Sequence, residues 1–70
     1  MELAQLFGSN VRRARQDRGL TLEVLADEAG LTYSYVGQIE RGQRNPSLRA
    51  VEQIARVLKV EAHILLMPRR

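Results

Sequence analysis

Cysteine is absent from this chain, and histidine occurs only as His63. Without cysteine there is no disulfide framework and no thiolate zinc site, and one histidine cannot form a metal cluster alone. The sequence also has no glycine-rich phosphate loop and no convergent pair of carboxylates. These absences argue against an enzyme, and we expect no metal and no cofactor.

Long apolar stretches are also missing. The longest, residues 63–67, is far shorter than the ~20 residues that a membrane-spanning helix needs. The N-terminal segment MELAQLFGSN lacks the basic region and apolar run of a signal peptide. We therefore expect a cytoplasmic protein with no membrane partner, and the lack of cysteine fits that compartment.

The basic residues are unevenly distributed. Eleven basic residues stand against eight acidic ones. Residues 21–40 contain four acidic residues and no basic one, whereas residues 41–49 contain Arg41, Arg44 and Arg49 and no acidic one. Arginine pairs with phosphate or guanine through two hydrogen bonds, so this cluster predicts a phosphate-binding surface rather than an ordinary solvated one. For other basic residues, such as those at 56 and 59, we favour the solvated alternative.

Apolar residues recur at helical spacing throughout the chain. The first helix is predicted over 2–18 and the last over 61–67, with three helices between them. The three are capped by Thr21, Thr32 and Ser47, and Gly30 and Gly42 end the first two of them. The inward-facing positions are Leu3, Phe7, Val11, Ala14, Leu22, Leu25, Ala26, Ala29, Val36, Ile39, Leu48, Val51, Ile54, Ala55 and Leu58. The sequence thus predicts an all-α, compact five-helix bundle, with one domain over 1–67 and a short tail over 68–70.

The segment TLEVLADEAGLTYSYVGQIERGQRN, residues 21–45, indicates function. It has the pattern of two short helices joined by a tight turn at 29–32. In a DNA-reading helix-turn-helix the first helix braces the second, which lies in the major groove. The second helix would carry Tyr33, Ser34, Gly37 and Gln38 on its outward side. The pattern predicts a protein that binds double-stranded DNA.

A family resemblance rests on an ordered set of residues: Thr21, Ala26, Gly30, Leu31, Val36, Ile39-Glu40-Arg41-Gly42, Pro46-Ser47-Leu48 and Ile54-Ala55. This order resembles the Cro/CI repressor family, also called the XRE family, over about residues 11–60. The resemblance implies a lambda-repressor-like domain with its helix-turn-helix core at 21–41. The run 35–45 with Ser47 is similar to the controller proteins of restriction–modification systems, which bind as dimers and regulate their own operon. Antitoxins and other small regulators share this run and remain alternatives.

The resemblance also implies roles for individual residues. Tyr33, Ser34, Gly37 and Gln38 would read base edges, with Gln38 pairing an adenine and Gly37 allowing a close approach to the groove. Plain helix surface is the alternative, and it suits Ser34 and Gln38 better than Tyr33. The DNA backbone would meet Thr21, Thr32, Tyr35, Arg41, Arg44 and Asn45, through helix N-termini, hydroxyls and charge.

The sequence departs from the family pattern in two ways. Leu22 stands where the family often has a glutamine that contacts the DNA backbone. No Lys or Arg lies between Thr21 and Glu40, so a two-bond contact to guanine would have to come from Arg41 or beyond. Glu40 itself would repel phosphates, and the resemblance implies that it turns inward and pairs with Arg15 on the first helix.

The C-terminal segment suggests a partner. A monomer of this size contacts too few base pairs to select one site in a genome, whereas a dimer contacts two half-sites about one helical turn apart. We expect Ile64 to cover the first and fourth helices, and Leu65, Leu66 and Met67 to form a homodimer interface. The expected function is sequence-specific regulation of transcription by a homodimer on a palindromic operator, with no small-molecule ligand. The alternative is an antitoxin-type interaction module whose DNA binding is secondary.

Overall fold

Four α-helices and one 3₁₀ helix make up the protein in a computed structural model that describes residues 2–68. They are α1 (Glu2–Asp17), α2 (Leu22–Ala29), α3 (Tyr33–Glu40), α4 (Leu48–Leu58) and the 3₁₀ helix Ala62–Leu66. The all-helical prediction is confirmed over these residues, and the prediction of five α-helices is corrected to four. Met1, Arg69 and Arg70 lie outside the described residues, and with them most of the predicted tail.

Side-chain caps start the three middle helices where the sequence predicts them. The Thr21 and Thr32 hydroxyl oxygens accept hydrogen bonds from the Val24 and Tyr35 amides, each at 3.1 Å. The Ser47 hydroxyl caps α4 in the same way, at 3.0 Å from the Ala50 amide. These bonds satisfy amides that the first turn of a helix leaves without partners, so each cap fixes where its helix begins.

The apolar core lies where α1 packs on α3 and the 3₁₀ helix, and where α2 packs on α3 and α4. Its buried members come from all five elements. They are Phe7, Val11, Leu25, Ala26, Ala29, Val36, Ile39, Val51, Ile54, Ala55, Leu58 and Leu65. The helix-turn-helix pair is therefore held on one side by α1 and on the other by α4.

Gly8 lets α1 approach the end of α3 closely. A Cβ atom at this position would overlap the carbonyl oxygen of Ile39 and lie 2.9 Å from that of Glu40. Glycine inside a helix costs about 1 kcal/mol relative to alanine. The contact explains why the chain accepts that cost: any side chain at Gly8 would push α1 away from α3.

The predicted ion pair between Arg15 and Glu40 is present. Arg15 Nε donates to Glu40 Oε2 at 2.7 Å and Arg15 Nη2 donates to Oε1 at 3.1 Å, a two-bond arrangement. The same guanidinium donates through Nη1 to the Leu20 carbonyl at 2.8 Å, in the segment that enters α2. The hydrogen bond with the Glu40 carboxylate raises the pKa of Arg15 against the opposing effect of burial, so the cation is maintained.

The C-terminal segment differs most from its prediction. Residues 62–66 form a 3₁₀ helix instead of an α-helix over 61–67, and Asn10 Nδ2 donates to the carbonyls of Leu65 and Met67, each at 2.9 Å. A 3₁₀ helix has about 3.0 residues per turn against about 3.6, so its inward face contains different residues. Leu65 is buried at 2% exposure and Ile64 is 47% exposed, which reverses their predicted positions. Leu65 therefore belongs to the core and not to an interface.

Two leucines on the predicted inward stripes lie at the surface. Leu3 is 51% exposed and Leu48 is 86% exposed, and each lies in the first turn of its helix. The periodic pattern includes these positions, but the core does not extend to them. Leu3, Leu48 and Leu66 line one groove of about 350 Å³, which gives this end of the protein an apolar surface.

The close contact at Gly8 predicts that Gly8→Ala destabilises the fold by about 1–3 kcal/mol, because the added methyl group meets backbone rather than a movable side chain. Urea unfolding measures this as a lower midpoint with an unchanged slope. Ser9→Ala, at the exposed neighbouring position of α1, is the control and should shift stability by no more than about 0.5 kcal/mol. A Gly8→Ala protein as stable as wild type would contradict the close approach.

The ion pair predicts that Glu40→Ala lowers stability by about 3 kcal/mol, at the lower end of the range for removing one partner of a buried pair. The Arg15 side chain is 13% exposed and would be left without its carboxylate. Thermal melting measures the loss, with Glu52→Ala as a control because Glu52 is exposed on α4. We expect the melting temperature to change more than the base preference in DNA binding, and an unchanged melt would reject this role.

Candidate nucleic-acid interface

The outward side of α3, the second helix of the two-helix motif, is an uncharged surface. Gly30, with φ of 72°, turns the chain sharply between α2 and α3. Tyr33 is 58% exposed, Ser34 is exposed and Gln38 is partly buried. The only charged residue of α3 is Glu40, which pairs with Arg15. The side chains that remain for a partner are a phenol, a hydroxyl and an amide.

Gly37 lies under other residues, contrary to the expected outward position. It is buried, and a Cβ atom there would lie 3.3 Å from Arg41 Nη1 and 3.5 Å from Leu22 Cδ2. The leucine that replaces the family's usual glutamine thus packs against α3. The resemblance implies that the helix backbone at Gly37 comes close to the DNA groove. Arg41 and Leu22 cover Gly37, so that backbone is not exposed for such a contact.

Gln38 contacts an arginine from the following loop. Arg44 Nη1 donates to Gln38 Oε1 at 2.9 Å, and the Arg44 guanidinium lies 4.9 Å from the centre of the Tyr35 ring. A cation at this distance over an aromatic face is attracted to it. Arg44, predicted only as a phosphate contact, therefore also touches two side chains of α3.

Arg41 directly follows α3, whereas Asn45 lies farther along the loop and lines the groove with Leu3 and Leu48. Arg41 caps the helix through its backbone amide, and its Nε donates to Gln43 Oε1 at 3.2 Å. Arg41, Arg44 and Asn45 are all exposed. The structure therefore brings Arg41 and Arg44 to the edge of the neutral surface of α3, with free N–H donors for an anion. Arg49, the third member of the predicted basic cluster, lies on α4 in a separate groove with His63 and Leu66.

Thr21 and Thr32 begin the two helices of the motif, and both are exposed. Each hydroxyl oxygen accepts a bond from its helix, which leaves the O–H free as a donor. The N-terminus of a helix carries partial positive charge and unpaired amides, both of which suit a phosphate. The caps can therefore contact an anion without losing their structural bonds.

Three contacts near this surface escape prediction from sequence: Arg44 with Gln38, Arg44 with Tyr35, and Arg41 with Gln43. All depend on the path of the loop between α3 and α4, which helical periodicity does not describe. The only signal in the sequence is composition, since arginine and glutamine alternate with few other polar residues over 38–44. Composition alone does not assign the partners.

The arrangement suits a polyanion, because uncharged hydrogen-bonding side chains on α3 lie between groups that can bind phosphate. Among residues 2–68 there is no group of three or more side chains positioned to hold a metal ion. No helix in the same part of the chain combines the length and apolarity required to cross a bilayer. The features that remain are a helix with an exposed neutral face, capped helix N-termini and basic residues at its edge, which match the requirements for DNA.

Comparisons with known proteins give the same picture. A family model described as helix-turn-helix matches residues 11–65. The chain is 35% identical over 68 residues to the uncharacterized HTH-type transcriptional regulator y4dJ of Sinorhizobium fredii, covering 97% of this chain and 88% of that protein. It is 39% identical over 62 residues to the HTH-type transcriptional regulator SinR of Bacillus subtilis, covering 87% of this chain but only 56% of SinR.

Solved structures share the fold. The restriction-modification controller protein C.AhdI from Aeromonas hydrophila is 42% identical and has a TM-score of 0.89, with 93% of this chain and 98% of that chain covered. SinR in complex with DNA is 37% identical, with a TM-score of 0.83 and coverage of 87% and 98%. With a family match over most of its length and relatives above 30% identity, the chain belongs to the helix-turn-helix family of XRE-type transcriptional regulators.

Proposed function

We propose that this protein regulates transcription by binding a palindromic operator in double-stranded DNA as a homodimer, and that it acts on its own promoter. The observation that carries the proposal is the exposed, neutral face of α3 bordered by Arg41 and Arg44. The relatives named as transcriptional regulators and the DNA complex of SinR support DNA binding. The likeness to a restriction-modification controller protein supports autoregulation.

Base reading is assigned to Tyr33, Ser34 and Gln38. In a helix-turn-helix the N-terminal part of the second helix meets base edges in the major groove. Tyr33 and Ser34 occupy the first turn of α3, and Gln38 follows one turn after Ser34. Their hydroxyl and amide groups form directed hydrogen bonds, and the Tyr33 ring offers an apolar contact for a thymine methyl group.

Affinity is assigned to groups at the border of this face. Arg41 and Arg44 supply charge, and the capped ends of α2 and α3 supply hydroxyls and amides. Such contacts to phosphates fix the orientation of the protein on the duplex without reading sequence. Asn45, exposed in the same loop, adds an uncharged donor.

The homodimer is assigned to the exposed apolar residues of the C-terminal segment. Ile64 is 47%, Leu66 37% and Met67 50% exposed. Ile64 takes the place that the sequence suggested for Leu65. Leu66 lines a groove with Leu3 and Leu48, whereas Ile64 and Met67 line a second groove beside Ala14 and Val60. Exposed apolar residues along one short segment favour a protein partner, and a second copy supplies the second half-site.

DNA binding predicts a specific gel shift with the DNA upstream of the protein's own gene. Binding should exceed that to random DNA of equal length and weaken steeply with salt. Arg41→Ala should weaken binding to every sequence about equally and reduce the logarithmic salt slope by about one.

Arg56→Ala, an exposed arginine of α4, removes the same charge and should leave both quantities unchanged. Equal binding of wild type to upstream and random DNA would reject the proposed regulator and favour an interaction module instead. Equal effects of the two substitutions would reject the assignment of Arg41.

The dimer predicts that the wild-type protein sediments as twice its monomer mass at tens of micromolar, roughly the range in which a modest interface is occupied. Met67→Glu should shift it to the monomer, because a carboxylate in an apolar interface lacks a partner. Val24→Glu tests a residue on α2 with 39% exposure and should leave the dimer intact. A wild-type monomer at these concentrations would contradict the dimer.

A further inference from the structure

We propose that Arg44 sets the hydrogen-bonding polarity of Gln38, so that Gln38 presents its amide hydrogens to DNA and selects guanine over adenine. Arg44 is then a positioning residue for base reading and not a phosphate contact alone. The inference rests on the proposed function, because it assigns a base preference to one residue of the DNA-facing helix.

The contact fixes which end of the Gln38 amide faces outward. Arg44 Nη1 lies 2.9 Å from Gln38 Oε1. A guanidinium carries only donors, so the atom that faces it must be the carbonyl oxygen, since the amide nitrogen would place donor against donor. The Nε2 hydrogens are therefore the part of Gln38 left for another partner.

Tyr35 holds Arg44 in this position. The guanidinium carbon lies 4.9 Å from the centre of the Tyr35 ring, which is itself partly buried. Tyr35 and Gln38 are three residues apart on α3 and so share one face of the helix. Arg44 thus reaches back from the loop and contacts both residues at once, which orders its long side chain before DNA arrives.

The hydrogen bond from Arg44 also changes how strongly the Gln38 oxygen accepts and how strongly the Gln38 amide hydrogens donate. An oxygen that already accepts from a cation is a poorer acceptor for a second donor. The same polarisation makes the amide hydrogens better donors, because hydrogen bonds in a chain strengthen one another. Gln38 therefore acts mainly as a donor of two hydrogens.

Donor polarity decides which purine fits. A glutamine pairs adenine by accepting from N6 and donating to N7, and this needs Oε1 as an acceptor, the role that the bond from Arg44 weakens. Guanine presents two neighbouring acceptors in the major groove, O6 and N7, and meets two amide hydrogens without needing Oε1. With Oε1 engaged by Arg44, guanine uses only the strengthened amide hydrogens of Gln38, whereas adenine must also donate from N6 to the weakened Oε1.

Phosphate binding by Arg44 is compatible with this role. The contact with Gln38 uses Nη1, and the other guanidinium nitrogens keep their hydrogens. Arg44 can therefore bridge a phosphate and the Gln38 carbonyl, which would couple the position of the backbone to the polarity of the base reader.

Selection from a random duplex library tests the inference. Wild type and Gln38→Ala are compared first, and the base pair at which Gln38→Ala loses preference identifies the position that Gln38 reads. We expect wild type to select guanine there. Arg44→Ala should shift the ratio of adenine to guanine at that position by about tenfold toward adenine, the scale of one good base contact.

Two controls separate polarity from charge. Arg56→Ala removes an exposed arginine of α4 that lies outside the basic cluster and should leave the ratio unchanged. In a Gln38→Ala background, Arg44→Ala should no longer alter the ratio, because the side chain through which it acts is gone.

Each outcome decides a separate question. Adenine selected by wild type at the Gln38 position overturns the inference, and so does an Arg44→Ala protein that weakens binding equally for all bases. If Arg44→Ala abolishes all binding, the guanine or adenine preference of wild type still decides. A wild type that enriches no sequence rejects the proposed function instead.

Discussion

The contact between α1 and α3 is the constraint on which the proposed DNA-facing surface depends. Gly8 lets the two helices meet at backbone distance, and Arg15 then holds Glu40 through two hydrogen bonds. The same guanidinium also binds the Leu20 carbonyl, which leads into α2. One side chain thus connects α1 to α3 and to the segment that precedes α2. A fold of this size has a small stability margin, so a few such contacts fix the angle at which α3 projects.

This contact also sets the electrostatics of recognition. Pairing with Arg15 neutralises the only charge on α3, so the exposed face of that helix carries neutral hydrogen-bonding groups. The cations lie beyond it, at Arg41 and Arg44, and the helix caps add oriented amides. We therefore assign base recognition and phosphate binding to different residues, and Arg44 is the proposed link between the two. The separation explains how a chain with a net charge of only +3 can suit a polyanion.

Local signals in the sequence predict most of the fold but not the contacts of its loops. Caps at Thr21, Thr32 and Ser47 fix helix starts through bonds within three residues, and helical periodicity identifies most of the core. The exchange of Leu65 for Ile64 arises because Asn10 holds a 3₁₀ helix there, a tertiary effect. The cover over Gly37 and the partner of Gln38 come from side chains placed by packing and by the path of a loop. No pattern of spacing specifies either, so the sequence predicts candidate site residues but not the contacts that they make.

The proposal that different residues recognise bases and bind phosphates has one most direct test. This test is the ratio of affinities for operator and random DNA as the salt concentration rises. If only neutral groups contact the bases and the same cations contact phosphates on both DNAs, both affinities fall together and the ratio stays constant within about threefold, because both complexes release the same counterions. A ratio that falls by about tenfold or more over the same series would contradict the account, since base preference would then depend on ionic contacts.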